Sequence, residues 1–157
     1  MKISTKGRYA LRLMVDLAVH TEDGGFAPLR AIAQRQSLSD KYLEQLIAQL
    51  ARADLVQSAR GAQGGYRLSR DAATYTVGDI LRLMEGDLSP VACGGSCGDL
   101  CCSRYDNCAT VEVWQQLSDA INKVVDGITL ADLVRRYHEK CPDGGNPAFG
   151  PSLCGGH

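Results

Sequence analysis

Apolar positions recur along most of this chain at helical spacing and break into short runs only once. Ala10, Leu13, Met14 and Leu17 stand at i, i+3, i+4 and i+7, which puts them on one helix face. Ser4 or Thr5 can cap that helix, and Asp23-Gly24-Gly25 ends it. Pro28 opens a shorter second helix with Leu29, Ile32 and Ala33 inward. Ser37-Leu38 makes a turn and Ser39 caps a third helix, with Leu38 and Leu43 placed as a hydrophobic staple. Leu43, Leu46, Ile47 and Leu50 form its buried stripe.

The pattern then changes. Leu55-Val56 and Tyr66-Arg67-Leu68 flank Arg60-Gly61-Ala62-Gln63-Gly64-Gly65, which reads as a hairpin with a pliable tip. Thr76 starts another helix, with Asp79 in its first turn and Ile80, Leu83 and Met84 inward; Gly86 to Pro90 ends it. A long helix is expected from Thr110 to about Gly127. Trp114, Leu117, Ile121, Val124 and Ile128 alternate in steps of three and four, a seam that asks for a partner helix. Thr129 caps a last helix carrying Leu130, Leu133, Val134 and Tyr137. Gly and Pro dominate after Cys141, so a disordered tail is expected, and Cys154 and His157 within it are given no role.

The expected fold is therefore mainly α with a small β-hairpin wing: a winged helix-turn-helix followed by a long dimerisation helix. The expected organisation is a DNA-binding unit over 1–90, a cysteine-rich loop over 91–109, dimerisation and C-terminal helices over 110–140, and the tail over 141–157.

Composition narrows the class. A length of 157 residues with 45% hydrophobic content suits one domain with a real core. Lys2, Lys6, Arg8, Arg12 and Asp16 interrupt the first apolar runs, so neither a signal peptide nor a membrane span is expected, and the setting reads as cytoplasmic. The net charge of −1 hides an asymmetry: residues 1–70 carry +5 and residues 71–157 carry −6. A basic first half suits a polyanion. On the third helix Lys41, Tyr42, Gln45 and Gln49 fall away from most of the buried stripe, residue types that contact bases or phosphates in a major groove. Arg60, Gln63 and Arg67 put donors on or beside the hairpin tip, suited to a minor groove.

Five of the seven cysteines stand at Cys93, Cys97, Cys101, Cys102 and Cys108. In a reducing compartment they suggest metal or redox chemistry rather than a disulfide scaffold. Thiolates are soft ligands for iron–sulfur clusters, zinc or copper(I). The spacing lacks the paired elements usual for zinc, which favours a cluster; zinc and thiol redox chemistry stay open. No Ser/His/Asp set, nucleotide loop or paired acid points to an enzyme, and no small-molecule substrate is expected.

The motifs KGRYALRLMVDLA at 6–18, LSDKYLEQL at 38–46, RGAQGGYRLSRDA at 60–72 and TVGDI at 76–80, with a cysteine loop before Trp114 and Leu117, are specific together. From Met1 to about Val134 the chain resembles the Rrf-two family of winged-helix transcriptional regulators, in particular its IscR-type iron–sulfur members. The resemblance implies a homodimeric repressor of a double-stranded DNA operator, controlling cluster-assembly genes according to iron–sulfur or redox status. It implies recognition roles for Ser39, Lys41, Tyr42 and Gln45, and wing roles for Arg60, Gly61, Gln63 and Gly64. It also implies a 2Fe–2S cluster, with 4Fe–4S as the other nuclearity, held by Cys93, Cys102 and Cys108; Cys97 is the alternative first ligand. The family's histidine, three residues past the last cysteine, is Val111 here, which leaves Cys97, Cys101 or Glu44 as fourth ligand. The competing readings are a cluster-free repressor sensing thiol redox state or cysteine metabolism, and a zinc-stabilised interaction module with no DNA role.

Overall fold

Side-chain caps set most of the helix starts. The structure is a computed structural model that describes residues 2–94 and 102–141. Helix α1 spans Thr5–His20, and the Ser4 hydroxyl accepts from the Gly7 N–H. It stops at Thr21, whose N–H and hydroxyl both return to the Leu17 carbonyl, so Asp23-Gly24-Gly25 forms the loop beyond it. Helix α2 spans Leu29–Gln36, and Pro28 stands just outside it at the N-cap. Ser37 turns the chain with φ 53° into α3, Asp40–Arg52, whose first turn is capped by Ser39. Strands β1, Val56–Ala59, and β2, Gly65–Leu68, pair antiparallel, with Val56 opposite Leu68 and Ala59 opposite Gly65. Helices α4, Val77–Glu85, and α6, Leu130–Lys140, both begin with reciprocal capping boxes, Thr76 with Asp79 and Thr129 with Asp132. Helix α5 spans Val111–Asp126.

Ala10, Leu13, Met14 and Leu17 of α1, Ile32 of α2, the four-residue stripe of α3, and Ile80 and Leu130 form the main core. Tyr75 ties it together. Its side chain has no exposure; its hydroxyl donates to the Leu55 carbonyl at 3.0 Å and accepts from the Arg70 N–H at 2.8 Å. Its own carbonyl accepts from Leu130 N–H, so one residue joins the wing to the C-terminal helix. Tyr75→Phe would strand both partners, and a loss of about 1–3 kcal/mol is expected. Urea unfolding should show it as a lower midpoint at unchanged slope.

A second cluster joins α4 to α5 through Val77, Leu81 and Leu88 with Ile121, Val125 and Ile128. Ser118 is the one buried residue of α5, a small side chain on the inward face. Arg82 closes the edge with both guanidinium nitrogens on Asp126, at 2.7 and 2.8 Å, and another bond to Asn122. The Arg82 hydrogen bonds hold the Asp126 carboxyl below the ordinary carboxylate range, and the capping bonds from the Thr129 backbone and hydroxyl do the same for Asp132. A depressed folded pKa contributes stability above the unfolded pKa and loses it as pH falls through the folded one. The protein should therefore melt progressively earlier once pH drops below the ordinary carboxylate range, and Asp126→Asn should flatten that slope in a melting-temperature series.

The expected seam divides. Trp114, Ile121 and Ile128 are half-buried, whereas Leu117 and Val124 are 44% and 60% exposed. Val113, 51% exposed, and Ala120 complete the outward stripe. Helix α5 is apolar on two adjacent faces, one for α4 and one facing out, and a three-four spacing drawn across both cannot separate them. The tail from Pro142, with Cys154 and His157, lies outside the described residues, as do Cys97 and Cys101.

Candidate nucleic-acid interface and cysteine cluster

Burying Leu43, Leu46, Ile47 and Leu50 leaves the opposite face of α3 in solvent, and Lys41, Glu44 and Gln45 are exposed there. Ser39 is exposed at the start of the helix, its hydroxyl accepting from the Tyr42 N–H at 3.3 Å. Tyr42 is half-buried, edge-on to Tyr9 with ring centroids 6.1 Å apart. The Arg12 guanidinium lies 5.1 Å from the Tyr9 ring centre and Arg8 lies 6.0 Å from it. The first turns of α1 and α3 thus share a basic, aromatic corner that helical periodicity alone does not reveal.

The wing is built tightly at its base and openly at its tip. Ala27 exchanges both backbone bonds with Tyr66 at 2.9 Å, adding a third short rung to the hairpin. Gly65 sits on that rung at φ 154°, and a Cβ there would stand 2.2 Å from the Ala27 carbonyl oxygen. Arg60, Gly61 and Gln63 are exposed at the tip, and Gly64 closes the turn with its N–H on the Gly61 carbonyl. Arg67 differs from the sequence expectation. Its guanidinium lies 4.5 Å from the Phe26 ring centre and donates to the Gly24 carbonyl at 2.6 Å, so it braces the wing against the α1–α2 loop.

The packing of α1 against α2 is pinned by a buried charge. Asp16 is 5% exposed within α1, and both its oxygens take Arg35 of α2, at 2.8 and 2.7 Å. Gln36 donates to Asp16 at 3.0 Å and accepts from Arg12 Nε at 3.2 Å. A paired, bidentate carboxylate fixes orientation more than it adds stability. Asp16 interrupts the apolar stripe between Leu13 and Leu17, and a carboxylate on a buried face calls for a paired partner.

The cysteines lie between α4 and α5. Cys93 is in a short 3-10 turn, Ala92–Gly94, that packs against α5; Cys108 ends another, Tyr105–Asn107, just before α5 begins. Cys93, Cys102 and Cys108 are half-buried free thiols. The Thr110 hydroxyl, 3.3 Å from Cys108 Sγ, and then backbone hydrogen bonds hold that thiol below its ordinary range, toward thiolate. The donor chemistry fits an iron–sulfur cluster. Among the described residues, no three His, Cys, Asp or Glu side chains are drawn together as a metal site, and Glu44 stays on the exposed face of α3. Val111 is the first residue of α5. Among the described residues, no helix is long and apolar enough to cross a membrane.

Comparison with known proteins agrees on the architecture and divides on the sensor. A family model described as Rrf2, an iron-dependent transcriptional regulator, matches residues 3–136. The HTH-type transcriptional regulator IscR of Yersinia enterocolitica is 40% identical over 134 residues, 85% of this chain and 79% of that one. The HTH-type transcriptional regulator CymR of Bacillus subtilis is 44% identical over 133 residues, 85% of this chain and 89% of that one. Among solved structures, CymR described as the global cysteine regulator of B. subtilis superposes with a TM-score of 0.71 at 42% identity, covering 87% and 98% of the two chains. The structure of IscR from T. potens gives 0.70 at 42% identity, covering 89% and 90%.

Proposed function

The chain belongs to the Rrf2 family of transcriptional regulators, and from that premise we propose that it is a cytoplasmic homodimeric repressor whose operator affinity is set by a cysteine-held iron–sulfur cluster. The observation that supports the sensor reading is three half-buried free thiols, Cys93 in a turn that packs against α5 and Cys102 and Cys108 in the segment that leads into that helix. Those residues supply three ligands, and the fourth comes from Cys97, Cys101 or Glu44. When bound, a 2Fe–2S or 4Fe–4S cluster supplies reversible one-electron chemistry and a loss of ligation under iron shortage or oxidation. The protein's part is mechanical. The Cys93 turn packs against α5, α5 packs on α4, and α4 packs on α1 and α3; Cys93, Cys102 and Cys108 would tie that turn to the start of α5 if they held a cluster together. A change at the thiols therefore reaches the reading helix through packed elements.

Ser39, Lys41, Tyr42 and Gln45 meet the major groove, and Arg60, Gly61, Gln63 and Gly64 carry the wing into the minor groove. Lys41→Ala should weaken binding to all sequences alike. Gln45→Ala should relax preference among sites by about 1–3 kcal/mol if Gln45 reads a base edge. Fluorescence anisotropy on operator and scrambled duplexes across a salt series separates the two, because phosphate contacts also set the salt slope. Unchanged site preference in Gln45→Ala would remove Gln45 from the readout.

A second reading has a specific basis. CymR is as similar to this chain as IscR is, and one CymR structure is described as a cysteine regulator. In that reading the thiols respond to oxidation or cysteine supply without a cluster.

A further inference from the structure

Between α1 and α6 lies a pocket of about 340 Å³ that neither the reading face nor the cysteine segment uses. Leu11, Val15 and Leu133 line it with the ring of Tyr137. At its buried end are Asp16 and Gln36; at its open end are Arg136 and Lys140, with Arg12 along the wall. The volume is in the range of small-molecule sites, which pair an apolar lining with a few placed polar groups. The charge is one-sided. Asp16 is answered by the bidentate bond to Arg35, and Arg136 and Lys140 put positive charge at the mouth of the space. Arg12, held by its bond to Gln36 and by the Tyr9 ring, adds a further positive charge along the wall.

We propose that this pocket takes a small monocarboxylate with a compact apolar body, its carboxylate toward Arg136, Lys140 and Arg12 and its body against Leu11, Val15 and Leu133. The position makes such a ligand an effector. Gln36 ends α2, one residue before the left-handed turn at Ser37 that leads to the Ser39 cap of α3. Helix α6 follows α5, the helix with the outward apolar stripe. A molecule touching Gln36 and Leu133 therefore bridges the reader and the dimerising half, and differential affinity for two arrangements of these halves is what couples a ligand to DNA. The regulatory half of the proposal rests on the DNA-binding reading; the binding half does not.

Calorimetry on the full-length protein, without DNA, tests the binding half. Phenylacetate and octanoate are the probes, and phenylacetamide is the uncharged control. At least one acid should bind, the amide should bind about tenfold more weakly or worse, and Arg136→Gln with Lys140→Gln should produce a similar loss for the acid. Both substitutions are at exposed positions, and a circular dichroism melt confirms that the variant folds. Failure of both acids to bind, as when another copy of the chain already fills the pocket, would overturn the proposal. So would equal binding of acid and amide, or acid binding indifferent to the double substitution. If an acid binds but leaves operator affinity unchanged while Lys41→Ala still weakens DNA binding, the site stands and its effector role falls.

Discussion

Leu117→Asp protein should elute as a monomer and lose operator affinity by roughly a hundredfold or more. The outward stripe of α5, Val113, Leu117, Ala120 and Val124, repeats in steps of four and three along one face, while Ile121 and Val125 are committed to α4. A second copy of α5 is the partner that such a stripe asks for, and a two-fold axis lets a reader of this size engage two half-sites. A carboxylate placed in that seam would be buried unpaired on association, which costs several kcal/mol, yet it is solvated in the monomer and leaves the fold alone. Gln116→Asp, exposed on the same helix but off the stripe, should keep the dimer. Sedimentation velocity reads both variants, and fluorescence anisotropy on a palindromic duplex reads the affinity. A Leu117→Asp protein that stays dimeric would move the interface elsewhere.

Cys102→Ser and Cys108→Ser should each lose bound iron and, with it, the difference in operator affinity between iron-replete and iron-depleted protein. That difference is expected to be about 5- to 150-fold, the usual span of coupling between two sites. Cys108 carries the sharper expectation, because the Thr110 hydroxyl favours its thiolate, the form that ligates. Neither thiol is in the core, so the melting curve without iron should hardly move. Cys141, at the end of α6 and far along the chain from the loop, serves as control: Cys141→Ser should change neither quantity. Loss of an oxidation response in Cys108→Ser, in a protein that never held iron, would favour the cysteine-regulator reading.

Local chemistry explains what could be read from the chain. Ser39, Thr76 and Thr129 announce helix starts because capping is decided within four residues, and all three cap as expected. The wing was legible because its glycines mark turn conformations that other residues resist. Long-range partners were not. Tyr75 gives no hint in sequence that its hydroxyl reaches Leu55, and Arg67 looks like a wing donor until Gly24 and Phe26 are seen beside it. The apolar spacing of α5 spans two faces, since periodicity fixes a direction on a helix and not which neighbour occupies it. The roles of Cys93, Cys102 and Cys108 rest on resemblance, because their spacing alone is compatible with cluster, zinc and thiol chemistry.

The most direct test is the absorption spectrum of protein purified without oxygen from cells with intact cluster supply, with iron and acid-labile sulfide counted per chain. Visible charge-transfer bands and near-equal iron and sulfide are the expected result, about two of each for 2Fe–2S or four for 4Fe–4S. A colourless dimer that still binds its operator, carrying zinc or no metal, would contradict the cluster and leave a thiol-responsive repressor in its place.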